Sequence, residues 1–191
     1  MESDQLDRRA QRSRELLTVA LTELLHEQRY DLISVRDIIT RARVSRSTFY
    51  LHFQDKDDLL ASSFTHMLGE LARQSPTAND GRLLPALELF RHVQAHRGLY
   101  ESVVGGRGLD VLFKAGRDYW GKTIEQTAPA NSSPTIPLPI VITYVTGAFL
   151  NLLKWWLDNR LPYPPERMAA MFEELVMPGV RAVLPLGRDG P

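Results

Sequence analysis

Apolar positions recur every three or four residues almost throughout this chain, the spacing of helices that bury one face, and no stretch sustains the alternation of a strand. Leu17, Ala20, Leu21, Leu24 and Leu25 form one stripe and predict a first helix from about Asp7 to Glu27, after which Gln28, Arg29, Tyr30 and Asp31 break the pattern. Ser34 stands where an N-cap belongs, with Asp37 three residues on as its acidic capping-box partner, so a short second helix carries Val35, Ile38 and Ile39 and ends near Ala42. Ser45 is a second such cap and predicts a third helix over Arg46–Phe53; Asp55 caps a fourth, from Lys56 to about Arg73. The stretch Ser75–Gly81 reads as a linker. Further helices are expected from about Leu83 to Ala95, Gly98 to Val104, Leu109 to Thr127, Pro139 to Asn159 and Pro165 to Leu184, with a Pro- and Ser-rich loop over Pro129–Pro139 and a kink at Pro178. The expected fold is therefore all-α, divided into a helix-turn-helix domain at 1–56, a connecting helix at 57–74 and a larger helical domain at 75–191.

Composition changes this picture in three places. Lys plus Arg and Asp plus Glu balance at 23 each, so the whole-chain charge lends nothing to nucleic-acid binding, whose affinity comes largely from counterion release. Any DNA contact must come from a local surface, and between Leu32 and Gln54 the charged residues are Arg36, Asp37, Arg41, Arg43 and Arg46. There is no cysteine, which excludes disulfides and thiolate metal sites and fits a cytoplasmic protein; the polar N-terminus lacks the apolar core of a secretory signal. The uncharged run Gln126–Leu153 is interrupted by Pro137, Pro139, Gly147 and Asn151, so it reads as a buried or dimer-facing helix rather than a membrane span.

The chemistry concentrates in residues 34–60. Two short helices, each opened by a hydroxyl cap, are separated by three or four residues, and Val35, Ile38, Ile39, Val44, Phe49 and Phe53 supply the apolar anchors that lock such a pair at a fixed angle. The second helix offers Arg46, Ser47, Thr48, Tyr50 and His52 outward and carries no acid. Short hydroxyls and hydrogen-bonding side chains suit base edges and phosphates in a major groove. A simpler reading competes at several positions: Ser34 and Ser45 as caps only, and Arg36, Arg41 and Arg43 as a solvated face.

The run Ser45, Thr48, Phe49, Tyr50, His52, Phe53, Lys56, Leu59 resembles the DNA-binding domain of the TetR family, and the likeness extends over about residues 8–60. Two positions depart from it: Arg43 stands where the family often has Gly, and Ser47 where Gly or Pro often precedes Thr-Phe-Tyr; both are expected to be exposed and harmless to the fold. The resemblance implies phosphate contacts from Ser45, Tyr50 and Lys56, base reading by Arg46, Ser47 and Thr48, and backbone contacts from Ser34 and Arg36, with His52 open between roles. It also implies a ligand-responsive regulator, a repressor or alternatively an activator, that binds a palindromic operator in double-stranded DNA as a homodimer.

Residues 143–172 are similar to the C-terminal domain of the TetR subgroup that includes regulators of dihydroxyacetone kinase, through Tyr144, Gly147, Lys154-Trp155-Trp156, Leu161-Pro162 and Met168. Val141, Val145, Ala148 and Leu152 on one helix, with Met168, Met171, Phe172 and Leu175 on the next, follow helical spacing and are the expected dimer surface, the alternative being packing within the subunit. A pocket for an unidentified small-molecule effector is sought among Phe90, Tyr100, Phe113, Arg117, Trp120 and Tyr144, with Tyr119, His92 and His96 as further neighbours. His92 and His96 lie four apart but lack a third ligand, so no metal and no other cofactor is expected. No nucleophile elbow, phosphate-cradling loop or carboxylate pair is present, so no catalytic residue is assigned and a helical small-molecule enzyme is the remote alternative, beside a dimerising scaffold without DNA binding.

Overall fold

The computed structural model describes residues 2–74, 84–127 and 135–183, and within them the chain forms nine α-helices and no strand. They are α1 (Glu2–Glu27), α2 (Val35–Ala42), α3 (Arg46–His52), α4 (Lys56–Gln74), α5 (Ala86–Ala95), α6 (Arg97–Val104), α7 (Gly108–Thr127), α8 (Leu138–Asp158) and α9 (Pro165–Val183). A 3-10 turn, Tyr30–Leu32, fills the break after α1. The expected linker at 75–81 and most of the expected loop at 129–139 lie outside the described residues. Pro165 opens α9, and the helix continues through Pro178.

The chain divides into two compact units, 1–64 with 98–112, and 65–97 with 113–191. This differs from a division read along the sequence, because residues 98–112 join the N-terminal unit. The reason lies in polar contacts around the 3-10 turn. Arg29 donates to the Gly105 carbonyl at 2.5 Å, the Arg107 amide donates to Asp31 Oδ1 at 3.1 Å, and the Arg107 guanidinium pairs with Asp57 at 2.7 Å. A Cβ on Gly106 would sit 1.8 Å from Asp31 Oδ2, so a larger residue there would push the Asp31 carboxylate out of its place beside the loop.

In the N-terminal unit the α1 stripe Leu17, Ala20, Leu21, Leu24 and Leu25 is buried with Tyr30, Ile38, Phe49, Phe53 and Leu59, and α1 packs on both α2 and α3. Burying these side chains contributes roughly 1.5–3 kcal/mol each, which offsets the cost of ordering such short helices.

In the C-terminal unit α9 packs against α5 and α8. Its centre is a chain of rings: Phe90 lies 5.1 Å from Phe149 and 5.3 Å edge-on from Trp156, while Phe149 meets Trp120 at 6.0 Å and Phe172 at 5.6 Å. These contacts correct the expected dimer surface. Val141, Val145, Met168 and Phe172 are buried inside their own subunit and cannot face a second one; Ala148, Leu152 and Met171 are half-buried, and Leu175 is 72% exposed. The outward apolar face of α8 is one position earlier, through Ile140, Tyr144, Ala148 and Trp155. By length and composition α8 is long and apolar enough to cross a membrane, but half of its apolar window is buried within the unit.

Candidate nucleic-acid interface

The helix-turn-helix is held by local bonds that the sequence spells out. Ser34 accepts from the Asp37 amide at 3.2 Å while Asp37 accepts from the Ser34 amide at 2.9 Å, a complete capping box that opens α2. The Ser34 hydrogen bonds hold the Asp37 carboxyl below the usual carboxylate range. Ser45 accepts from the Thr48 amide at 3.0 Å and opens α3. Phe49 is fully buried, and Phe53, the C-cap of α3, is buried beside it, so one side of the helix is anchored and the other is free.

The turn contains an unexpected strain. Arg43 adopts φ 55, ψ 40, the left-handed conformation that suits glycine, and its amide closes α2 on Ile39 and Thr40 carbonyls. The expectation that an exposed arginine here leaves the fold untouched is therefore incomplete: the position is exposed, and its backbone costs about 1–2 kcal/mol relative to glycine.

On the free side of α3 stand Arg46, Ser47, Tyr50 and Leu51, all exposed, with Thr48 half-buried. Ser45, Ser47 and Thr48 share hydroxyl contacts at 2.8 Å. The Arg46 guanidinium lies 5.5 Å above the Tyr50 ring and reaches its hydroxyl only at 3.4 Å, a contact weak enough to be exchanged for another partner. Tyr50 leans edge-on against Phe49 at 5.3 Å, which fixes its ring while leaving it 48% exposed. No acid lies on α3, and the Asp37 carboxylate is occupied by its capping box.

Two expectations change. Lys56 does not face outward: its Nζ donates to the carbonyls of Tyr30 at 2.9 Å, Ile33 at 2.7 Å and Asp31 at 3.4 Å, and lies over the Tyr30 ring at 4.5 Å. Its three protons are used inside the unit, which removes the expected phosphate contact and makes Lys56 a staple for the 3-10 turn. Arg41 is likewise taken, bidentate on Glu27 at 2.7 and 2.8 Å with Glu23 at 3.3 Å, so the positive surface reduces to Arg36, Arg43 and Arg46. Ser34 is exposed, with its hydroxyl on Asp37 at 2.7 Å.

Two residues escaped sequence reasoning. Leu51, 76% exposed, presents an apolar tip on the free side of α3; an apolar residue type carries no sign of a surface role, and its exposure shows it. Arg14 of α1 lies 5.3 Å over the Phe53 ring and brings a charge to the end of α3. Burial and then Arg14 hold the half-buried His52 below the usual histidine value. The only hint in the sequence was the arginine run Arg8, Arg9, Arg12, Arg14.

Of the expected effector residues only Phe90 and Trp120 come together, both against Phe149. Phe90 and Trp120 are core, Phe113 is half-buried, Arg117 and Tyr144 are exposed, and Tyr100 is buried in the N-terminal unit. The His92 and His96 rings lie 4.5 Å apart and tilted at 43°, and among the described residues no group of three His, Cys, Asp or Glu comes together to hold a metal.

The family model of bacterial regulatory proteins of the TetR type matches residues 17–62, and that of a transcriptional regulator C-terminal region matches residues 85–178. The chain belongs to the TetR family. The TetR-type match encloses α2, α3 and the turn between them, so the outward residues above stand on the family's DNA-binding element. The uncharacterized HTH-type transcriptional regulator YxbF of Bacillus subtilis is 37% identical over 179 residues, covering 88% of this chain and 45% of its own length. The HTH-type dhaKLM operon transcriptional activator DhaS of Lactococcus lactis is 34% identical over 91 residues, 48% of each chain. The chain thus spans about half the length of the curated relatives it matches. The TetR fold is matched by a TetR transcriptional regulator from Streptococcus agalactiae, with TM-score 0.60 and 22% identity over 91% of this chain and 98% of that one. The structure of a dihydroxyacetone kinase operon activator, DhaS, matches with TM-score 0.56 and 18% identity over 90% and 98%.

Proposed function

We propose that this TetR-family chain is a ligand-responsive repressor that binds a palindromic operator as a homodimer in the cytoplasm and catalyses no reaction. One observation carries the DNA reading: α3 is anchored by Phe49 and Phe53 and turns an acid-free surface of Arg46, Ser47, Tyr50 and Leu51 to solvent. Arg46 reads a guanine through O6 and N7, Tyr50 and the Ser45 hydroxyl bind phosphate, and Leu51 packs on a thymine methyl. Arg36 and Arg43 flank these with charge, and Ser47 and Thr48 reach base edges.

The dimer forms through the outward face of α8, Ile140, Tyr144, Ala148 and Trp155, together with Met171 and Leu175 of α9. Two-fold symmetry then sets paired recognition helices on half-sites about 34–36 Å apart, or a multiple. An effector held in the C-terminal unit favours a dimer whose spacing misses one half-site, which requires that it distinguish the two shapes by a few kcal/mol. The similarity to DhaS, named an activator, favours a second reading in which the ligand-bound dimer activates its operon. A transcription assay with and without the effector separates the two by sign.

Operator selection from random duplexes, followed by binding of Arg46→Ala and Tyr50→Phe, tests the DNA contacts. Arg46→Ala is expected to cost about 1–3 kcal/mol and relax specificity at one position. Replacing thymine by uracil at the Leu51 contact removes one methyl and is expected to weaken the wild type but not Leu51→Ala. Unchanged affinity and specificity in both Arg46→Ala and Tyr50→Phe would overturn the assignment.

A further inference from the structure

Among the described residues, the interior of the C-terminal unit holds two neutral polar atoms that its packing does not use. Trp120 of α7 and Thr146 of α8 are each 1% exposed, and neither the indole Nε1 nor the threonine Oγ1 has a hydrogen-bond partner. Buried polar groups are nearly always partnered, and an orphan calls for an explanation. For Thr146 the ordinary remedy is at hand. Helical hydroxyls bond to the carbonyl one turn back, as Thr143 does on the same helix at 2.7 Å and Thr123 on α7 at 3.1 Å. Thr146 forgoes that bond.

The two groups belong to one patch. Gly116, one turn before Trp120 on α7, makes the two side chains neighbours through their carbon atoms: a Cβ there would sit 2.9 Å from Trp120 Cζ3 and 3.4 Å from Thr146 Cγ2. Glycine is what lets the indole lie flat against its own helix with the threonine beside it. Phe149, three residues after Thr146, closes on Trp120 at 6.0 Å and continues into Phe90 and Phe172. The patch thus combines an N–H donor and a hydroxyl, both neutral, with aromatic edges, in a setting where an uncompensated charge is strongly disfavoured.

We propose that Trp120 and Thr146 are the polar anchors of the effector site, resting on the regulatory role proposed for this chain, and that the effector is a small uncharged molecule of aromatic size bearing a hydroxyl or carbonyl. The indole N–H donates to an oxygen of the ligand, and the Thr146 hydroxyl donates to or accepts from it. The aromatic edges of Phe149 and Phe90 favour a flat ring over a branched aliphatic.

The test uses the full chain, with phenol as the polar probe and toluene as its apolar control, read by thermal melting and titration. Phenol is expected to raise the melting temperature more than toluene does. Thr146→Val keeps the shape and removes the orphan hydroxyl, so without probe it melts at or above the wild-type temperature while binding phenol about fivefold more weakly. Thr146→Ser retains the phenol response, and Trp120→Phe loses phenol affinity by a similar factor. A fall in melting temperature for Thr146→Val without probe means that the hydroxyl already serves a structural water or protein partner, and overturns the proposal. Equal responses to phenol and toluene, or none to phenol, overturn it as well. Operator binding without probe, measured on the same samples, reports on the DNA reading separately: its loss condemns that reading, whereas intact operator binding with no phenol response condemns only the site.

Discussion

The two units of this chain differ in how completely they satisfy the polar groups at their centres. Around the recognition helix the hydroxyls and charges that set its position are satisfied within the N-terminal unit: Ser34 with Asp37, Ser45 with Thr48, Lys56 with three carbonyls, Arg41 with two glutamates. In the C-terminal unit two groups sealed in an aromatic core, Trp120 Nε1 and Thr146 Oγ1, go without. The difference fits the two tasks proposed for these units. A surface that must match a rigid duplex gains from having every supporting bond already made, because little remains to be ordered on binding. The effector site proposed for the C-terminal interior gains from bonds left unmade, because a ligand then supplies them.

The largest effect tests which residues of α8 belong to that interior. Val145→Asp buries an unpaired carboxylate and is expected to destabilise the chain by about 3–5 kcal/mol, whereas Tyr144→Asp, one residue away on the outward face, leaves the fold of the subunit intact and dissociates the proposed dimer. Urea denaturation and sedimentation distinguish the two; equal destabilisation would erase the line drawn between core and outer face.

Next comes the staple. Lys56→Met leaves the Tyr30, Asp31 and Ile33 carbonyls without their donor and is expected to cost about 2 kcal/mol of stability. The salt slope of operator binding should stay the same; a drop of about 1 in that slope would return Lys56 to the phosphate contacts.

Arg43→Gly works in the other direction. Relief of the left-handed backbone is expected to stabilise the chain by about 1 kcal/mol, or about 2–4 °C in melting temperature, while the lost charge weakens operator binding. Stability and affinity moving together would show that the strain is not where the backbone places it.

The smallest effect is a pH dependence. Burial and then Arg14 lower the pKa of His52 in the folded chain, so the unfolded chain binds the proton more readily. Its contribution to stability is complete above the ordinary histidine value of about 6.5 and is lost as pH falls through and below it. His52→Gln should flatten the melting-temperature profile over that interval, and an unaltered profile would detach His52 from Arg14.

Much of the N-terminal unit was legible because its determinants are local. Caps three residues from their partners and a stripe repeating within one turn place α1 to α4 without reference to anything distant. The outward face of α8 was not legible in the same way. Val141 and Ile140 are both β-branched and apolar, and only the position of α9 and of the Phe90–Phe149–Phe172 cluster decides which is turned inward. Lys56 misled for a related reason: a lysine at the start of a helix points to a phosphate until the carbonyls of a turn 23–26 residues earlier are found within its reach.

Taken alone, the chain of residues determined the helices, their caps, the helix-turn-helix and the family to which its pattern belongs, since all of these depend on neighbours within a few positions. Tertiary structure decided the rest: which apolar face is core, which cations remain free, the left-handed strain at Arg43, the recruitment of residues 98–112 to the N-terminal unit, and the unpartnered pair at Trp120 and Thr146. Burial and hydrogen-bond satisfaction depend on what other segments bring into range, and no periodicity along one helix records what has been laid against it.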